Sequence, residues 1–171
     1  IEKIDDIIYF KIYLHGDIPI EYKKLAKEIK HLLNELRTHS NLIEYDFIDP
    51  SSLENQDYKI ALQQELFQKG ISPIPHRNYQ NNKLEETWVF PGITVSYKSK
   101  ETIIPLIEET LMNNPNEVIK SSIEKLEYLF ANAIRKLTSS KKVIGILNNN
   151  LLEKENLFFS FQELISEHYK L

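Results

Sequence analysis

Residues 114–147 constrain the fold more than any other stretch. Asn114 can cap a helix, Pro115 suits the first helical position, and Glu117 stands three residues after the cap. Apolar residues follow at Ile119, Ile123, Leu126, Phe130, Ala133 and Leu137. Those steps alternate four and three, so they make one continuous stripe on a long helix. Val118, Leu129 and Ile134 widen the stripe, while Lys120, Glu124, Lys125, Arg135 and Lys136 lie mostly off it. Thr138, Ser139 and Ser140 end the helix, and Val143, Ile144, Gly145, Ile146 and Leu147 read as a strand. The helix therefore joins whatever precedes it to a new β-unit.

What precedes it reads as alternating strands and helices. Residues 7–14 are nearly all apolar, which predicts a central strand buried on both faces. A His15-Gly16-Asp17 turn follows, with Asp17 placed to cap a helix over 19–37. Tyr22, Leu25, Ala26, Ile29, Leu32, Leu33 and Leu36 form the inner face of that helix. Residues 42–48 alternate apolar and acidic, as an edge strand does, and should pair in parallel with the first. A second helix over 56–69 turns Tyr58, Ala61, Leu62 and Leu66 inward and stops at Gly70. Residues 71–75 are extended because two prolines disfavour helix before them. Residues 78–86 are polar and read as a loop or hairpin tip. A third strand region over 88–97, broken at Pro91-Gly92, pairs with a fourth over 102–106, and a short helix over 106–112 follows.

The expected fold class is α/β. A thioredoxin-like β-α-β-α-β-β-α domain with a mixed sheet spans 1–113, a long connecting helix spans 114–140, and 141–171 begin a second α/β domain. The expected strand order in the first sheet is second, first, third, fourth. In the second domain a helix carrying Leu157, Phe158, Phe161, Leu164, Ile165 and Tyr169 would follow the strand with no further strand after it. Such a piece must pack on the long helix or pair with a second copy, a dimer that would depend on where the chain is cut.

Composition removes several chemistries. The chain has 171 residues and no cysteine, so thiol exchange, thiolate zinc sites and thiol catalysis are excluded. With 42% hydrophobic residues a sizeable core is available, and a net charge of −4 gives no broad basic footprint for nucleic acid. No apolar run approaches the ~20 residues of a membrane span. The only glycines are Gly16, Gly70, Gly92 and Gly145, so no phosphate-binding glycine loop exists, and no serine stands in a nucleophile elbow.

The remaining site candidates each have a plainer role. His15 and Asp17 could form an acid–base pair, or serve as turn and cap. Asp46 and Asp49 could touch a cation, but two carboxylates are too few ligands, and a solvated edge explains them. The five histidines are scattered; only His31 and His39, eight apart, come loosely near metal-ligand spacing on one element, and no zinc site is expected. His76 and Arg77 make a small basic pair on a surface loop that could meet an acidic partner. Trp88, the single tryptophan, fits burial at the hairpin base; exposed, it would mark a partner contact. No catalytic residue, metal or cofactor is expected.

Several blocks carry a family resemblance. Residues 14–19 (Leu-His-Gly-Asp-Ile-Pro), 44–50 (Glu-Tyr-Asp-Phe-Ile-Asp-Pro) and 90–97 (Phe-Pro-Gly-Ile-Thr-Val-Ser-Tyr) come first. Residues 122–137 and 142–147 follow in order. Together they resemble the GldG family, membrane-anchored auxiliary subunits of an ABC-type transport system associated with gliding motility. The resemblance implies a non-catalytic domain at the periplasmic face of the inner membrane. It would bind or position the permease and ATPase subunits, with its membrane anchor outside this sequence. After the strand at 143–147 that family tends to carry a Gly-His-Gly-Glu-like turn. Here Asn148, Asn149 and Asn150 stand instead, without the glycines or the histidine. The alternative is a small-ligand-binding or enzymatic α/β module whose site a C-terminal continuation completes.

Overall fold

The first strand, β1 (Ile8–Ile12), alternates in burial: Ile8, Phe10 and Ile12 have no exposed surface, while Tyr9 and Lys11 are half-buried. The computed structural model describes residues 4–52, 55–80, 83–107, 114–139, 142–144, 165 and 169–170. After β1 come α1 (Ile20–His39), β2 (Ile43–Phe47), α2 (Gln56–Gln68), β3 (Ile74–Gln80) and β4 (Lys83–Val89). Then follow β5 (Gly92–Tyr97), β6 (Lys100–Pro105), α3 (Pro115–Thr138), β7 (Lys142–Val143) and β8 (Tyr169–Lys170). The fold is mixed α/β.

The main sheet has the order β2-β1-β5-β6. β1 pairs in parallel with β2 and antiparallel with β5, and β5 pairs antiparallel with β6. This is the expected order, with the edge placed at β2. The parallel pair follows from the intervening helix, since a parallel partner needs a crossover. α1 supplies Leu25, Ile29 and Leu33, and α3 supplies Ile119, Leu126 and Phe130, to one core with Ile8, Phe10 and Ile12. A smaller core on the other face joins Tyr13, Leu66, Ile71 and Phe90, with Leu62 and Ile103 packed against it.

That asymmetry corrects the expectation that β1 is buried on both faces. Two helices cover its Ile8-Phe10-Ile12 face, whereas α2 reaches the other face only near Tyr13. Tyr9 therefore donates its hydroxyl to Asp46, and the Lys11 ammonium lies 5.9 Å from the Tyr9 ring centroid. Deeper along this face Tyr13 and Thr94 share a hydroxyl–hydroxyl bond of 3.1 Å.

Asn114 caps α3 as its sequence suggested, accepting from the Asn116 N–H at 3.1 Å. α3 belongs to the core of the first of two compact units, Ile1–Leu137. Ser122, buried within α3, donates to the Val118 carbonyl at 2.9 Å, which satisfies its hydroxyl inside the helix.

Four local expectations change. Asp17 does not cap α1: Pro19 stands at the N-cap with no side-chain bond, and Asp17 points into solvent 4.0 Å from Lys23 Nζ. Tyr58 and Ala61 are exposed, because α2 buries only the narrow Leu62–Leu66 edge. The polar stretch 78–86 is largely strand: β3 and β4 form a separate two-stranded sheet, in register from Ile74↔Val89 to Gln80↔Lys83. Trp88 belongs to this hairpin rather than to the main-sheet strand that follows.

Two glycines are required where they stand. Gly70 (φ +89) ends α2 in a Schellman arrangement, with the Ile71 N–H on Leu66 O and the Gly70 N–H on Phe67 O, both at 2.9 Å. Gly92, at the β4–β5 break, lies so near Ile71 that a Cβ would stand 2.6 Å from its Cγ1.

The second unit, Thr138–Leu171, holds β7 and β8, paired in parallel with Lys142↔Tyr169 and Val143↔Lys170. A strand thus does follow β7, contrary to expectation, and Tyr169 belongs to it rather than to a helix. Most of the helices expected over 106–112 and 157–169, and the 148–150 turn, lie outside the described residues.

Candidate functional site

α2 carries two faces. Leu62 and Leu66 enter the smaller core. Ile60, Gln63, Gln64, Phe67 and Gln68, spaced i, i+3, i+4, i+7 and i+8, line an open groove on another side. Pro73, Trp88 and Phe90 line the same groove, which encloses about 590 Å³. Its apolar groups are available to solvent: Ile60 is 43% exposed, Phe67 63% and Trp88 45%. Phe90 is buried and anchors the floor to Leu66 and Ile71.

The walls are held from both ends. Asn55 caps α2, accepting from the Asp57 and Tyr58 N–H groups at 2.9 and 3.4 Å. The far end carries the Gly70 stop and a clamp in which Lys69 Nζ meets Glu101 at 2.6 Å and Glu65 at 2.7 Å. Those two carboxylates, Glu101 foremost, hold the Lys69 ammonium protonated well above the usual lysine range. The clamp ties α2 to β6, so the groove wall on α2 is fixed to the main sheet. Pro75 stands opposite Trp88 in the hairpin register.

The other candidates do not assemble. His15 is exposed on the β1–α1 turn, and no hydrogen bond or ion pair joins it to Asp17 among the described residues. Asp46 serves Tyr9, whose hydroxyl pKa is pushed up to about 12 chiefly by that bond and then by burial. Asp49 accepts from the Ser51 N–H at 2.7 Å and packs on Gly16, where any Cβ would overlap its carboxylate. Among the described residues no three His, Asp or Glu side chains gather as a metal site would require. His31 and His39 both lie on the exposed side of α1.

His76 and Arg77 sit on β3, not on a loop, opposite Thr87 and Glu86. His76 is half-buried. Of the three expected contact residues, Trp88 lines the groove. The other groove residues escaped sequence reading, although the sevenfold spacing of Ile60 and Phe67, off the Leu62–Leu66 edge, was a usable signal.

Residues 1–96 match the family described as a domain of unknown function (DUF7088), which covers more than half of the chain. No curated protein and no solved structure matches. No helix among the described residues is long and apolar enough to cross a membrane.

Proposed function

We propose, for a chain that belongs to the DUF7088 family, a role as the binding and positioning domain of a GldG-like auxiliary subunit of an ABC-type transporter. It acts without catalysis, tethered at the periplasmic face of the inner membrane, and ATP hydrolysis belongs to another subunit. The α2–β4 groove carries this reading. Exposed Ile60, Phe67 and Trp88 gather on one surface, and an exposed apolar surface of this kind suits a partner rather than water.

The resembling blocks support the assignment by their location. Four of the five fall on the β1–α1 connection, on β2, on β5 and along α3, which build the scaffold, and the fifth begins at β7. Apart from Phe90, the groove residues lie between those blocks. The strand order supports a thioredoxin-like reading of that scaffold. Without cysteine such a scaffold has no thiol to exchange, which removes thiol chemistry and is consistent with a binding role.

The test is co-purification of permease and ATPase subunits with the full-length protein from membranes. Phe67→Glu should abolish recovery, because it buries a charge against an apolar partner. Tyr128→Glu, at another exposed aromatic, should not. Equal recovery with both variants, or none with the parent protein, overturns the reading.

The parallel β7–β8 pair favours one other reading, in which the second unit opens a ligand-binding or enzymatic α/β module. Thermal stabilisation by a small molecule, unaffected by Phe67→Glu, would favour that module.

A further inference from the structure

α1 and α2 are anchored to the sheet very differently. α1 buries Leu25, Ile29 and Leu33, whereas Leu66 is the one buried residue of α2. Leu62 adds a half-buried contact to the smaller core. Tyr58, Ile60 and Phe67, the other large apolar side chains of α2, lie exposed. A helix with so few buried apolar contacts opens locally at far less than the cost of global unfolding.

Polar contacts supply the remaining hold. Among the described residues, two bonds run from side chains of 55–69 to another element. Gln63 donates to the Pro50 carbonyl at 3.5 Å, a long bond. Lys69 Nζ meets Glu101 of β6 at 2.6 Å. Glu101 is fixed on the sheet, because Ser96 Oγ donates to its second oxygen at 3.3 Å. Glu65 also meets Lys69, at 2.7 Å, but it belongs to α2 and moves with it. Lys69 and Glu101 are both partly exposed, so their pair is weak enough to break and is screened by salt. Against Leu66 lie Tyr13, Ile71 and Phe90, all buried, with Tyr13 bonded to the buried Thr94 hydroxyl.

We infer that α2 is a lid over the smaller core, latched to β6 by Lys69 and Glu101, and that its opening removes one wall of the groove. The lid holds without the binding role; its use as a switch on the groove rests on that role as proposed above.

Amide exchange in the full chain, followed residue by residue, tests the lid. The N–H groups of 60–68 should exchange on the order of a hundredfold faster than those of 25–33 in α1, with little dependence on denaturant. Glu101→Gln should speed exchange in α2 by about threefold more and leave α1 unchanged. High salt should do the same to the parent chain and add little in the variant. Because the chain has no cysteine, the thiol introduced by Leu66→Cys separates detachment from fraying in place. It should be alkylated on the order of a hundredfold faster than the thiol introduced by Leu33→Cys, at an equally covered position of α1. Equal protection of the two helices, equal alkylation of the two thiols, or no response of α2 to both Glu101→Gln and salt overturns the inference. If α2 opens as described while Phe67→Glu keeps the transporter subunits, the lid stands and the binding role falls. If α2 exchanges no faster than α1 while Phe67→Glu loses those subunits, the lid falls and the binding role stands.

Discussion

Phe10 and Phe130 stack with ring centroids 5.2 Å apart and planes 15° apart, joining the central strand to α3. Both rings are among the largest fully buried side chains. Truncating Phe130 to Ala leaves a cavity between sheet and helix that neither can close. The expected loss is about 3–5 kcal/mol in denaturant melts. Glu127→Ala, on the exposed side of the same helix, should change stability by no more than about 0.5 kcal/mol. Similar costs for the two would mean that α3 presents a different face to the sheet.

Gly70 and Gly92 separate two reasons for being glycine. Gly70 has φ +89 but open space around it, so Gly70→Ala should cost about 1–2 kcal/mol through backbone conformation alone. Gly92 has no such conformation but presses on Ile71. Gly92→Ala should cost about 1–3 kcal/mol by overpacking, and Ile71→Ala, which removes all three crowding atoms, should relieve part of it. A double-mutant cycle reads that coupling: strict additivity would contradict the contact.

The Tyr9–Asp46 bond predicts an alkaline effect. The folded-state pKa of Tyr9 lies above its ordinary 10.0, at about 12, chiefly because the hydroxyl donates to Asp46. The pair's contribution is therefore complete below pH 10 and is lost as pH rises through about 12. Ultraviolet tyrosinate titration should show a late-ionising phase to which Tyr13 and Tyr22 also add, because burial raises both, and Tyr9→Phe should remove one tyrosine from it. If Tyr9→Phe leaves the amplitude of the late phase unchanged, the bond is not what raises Tyr9.

Much of this architecture was legible as periodicity. The α1 face from Tyr22 to Leu36 and the α3 stripe from Ile119 to Leu137 stand out because each buries a broad side against one sheet. The parallel β1–β2 pair followed from strand, helix, strand order. A hairpin tip within 78–86 was one of two readings, but the length of the β3 and β4 arms was not legible: Asn78, Gln80, Lys83, Glu85 and Glu86 give no apolar alternation, and backbone pairing carries the arms. α2 was half legible. Its buried edge is narrow, so Tyr58 and Ala61 looked interior, and its second apolar edge has meaning only with Trp88 and Pro73 placed opposite. The half-exposure of Trp88 likewise depends on the hairpin standing apart from the main sheet.

The most direct measurement of the central claim is site-specific photocrosslinking in membranes. A photoreactive side chain at position 67, in the groove, is compared with one at position 128, on the outer face of α3. The account predicts adducts to transporter permease subunits from position 67 and none from position 128. Adducts from 128 alone, or none from 67, would contradict it.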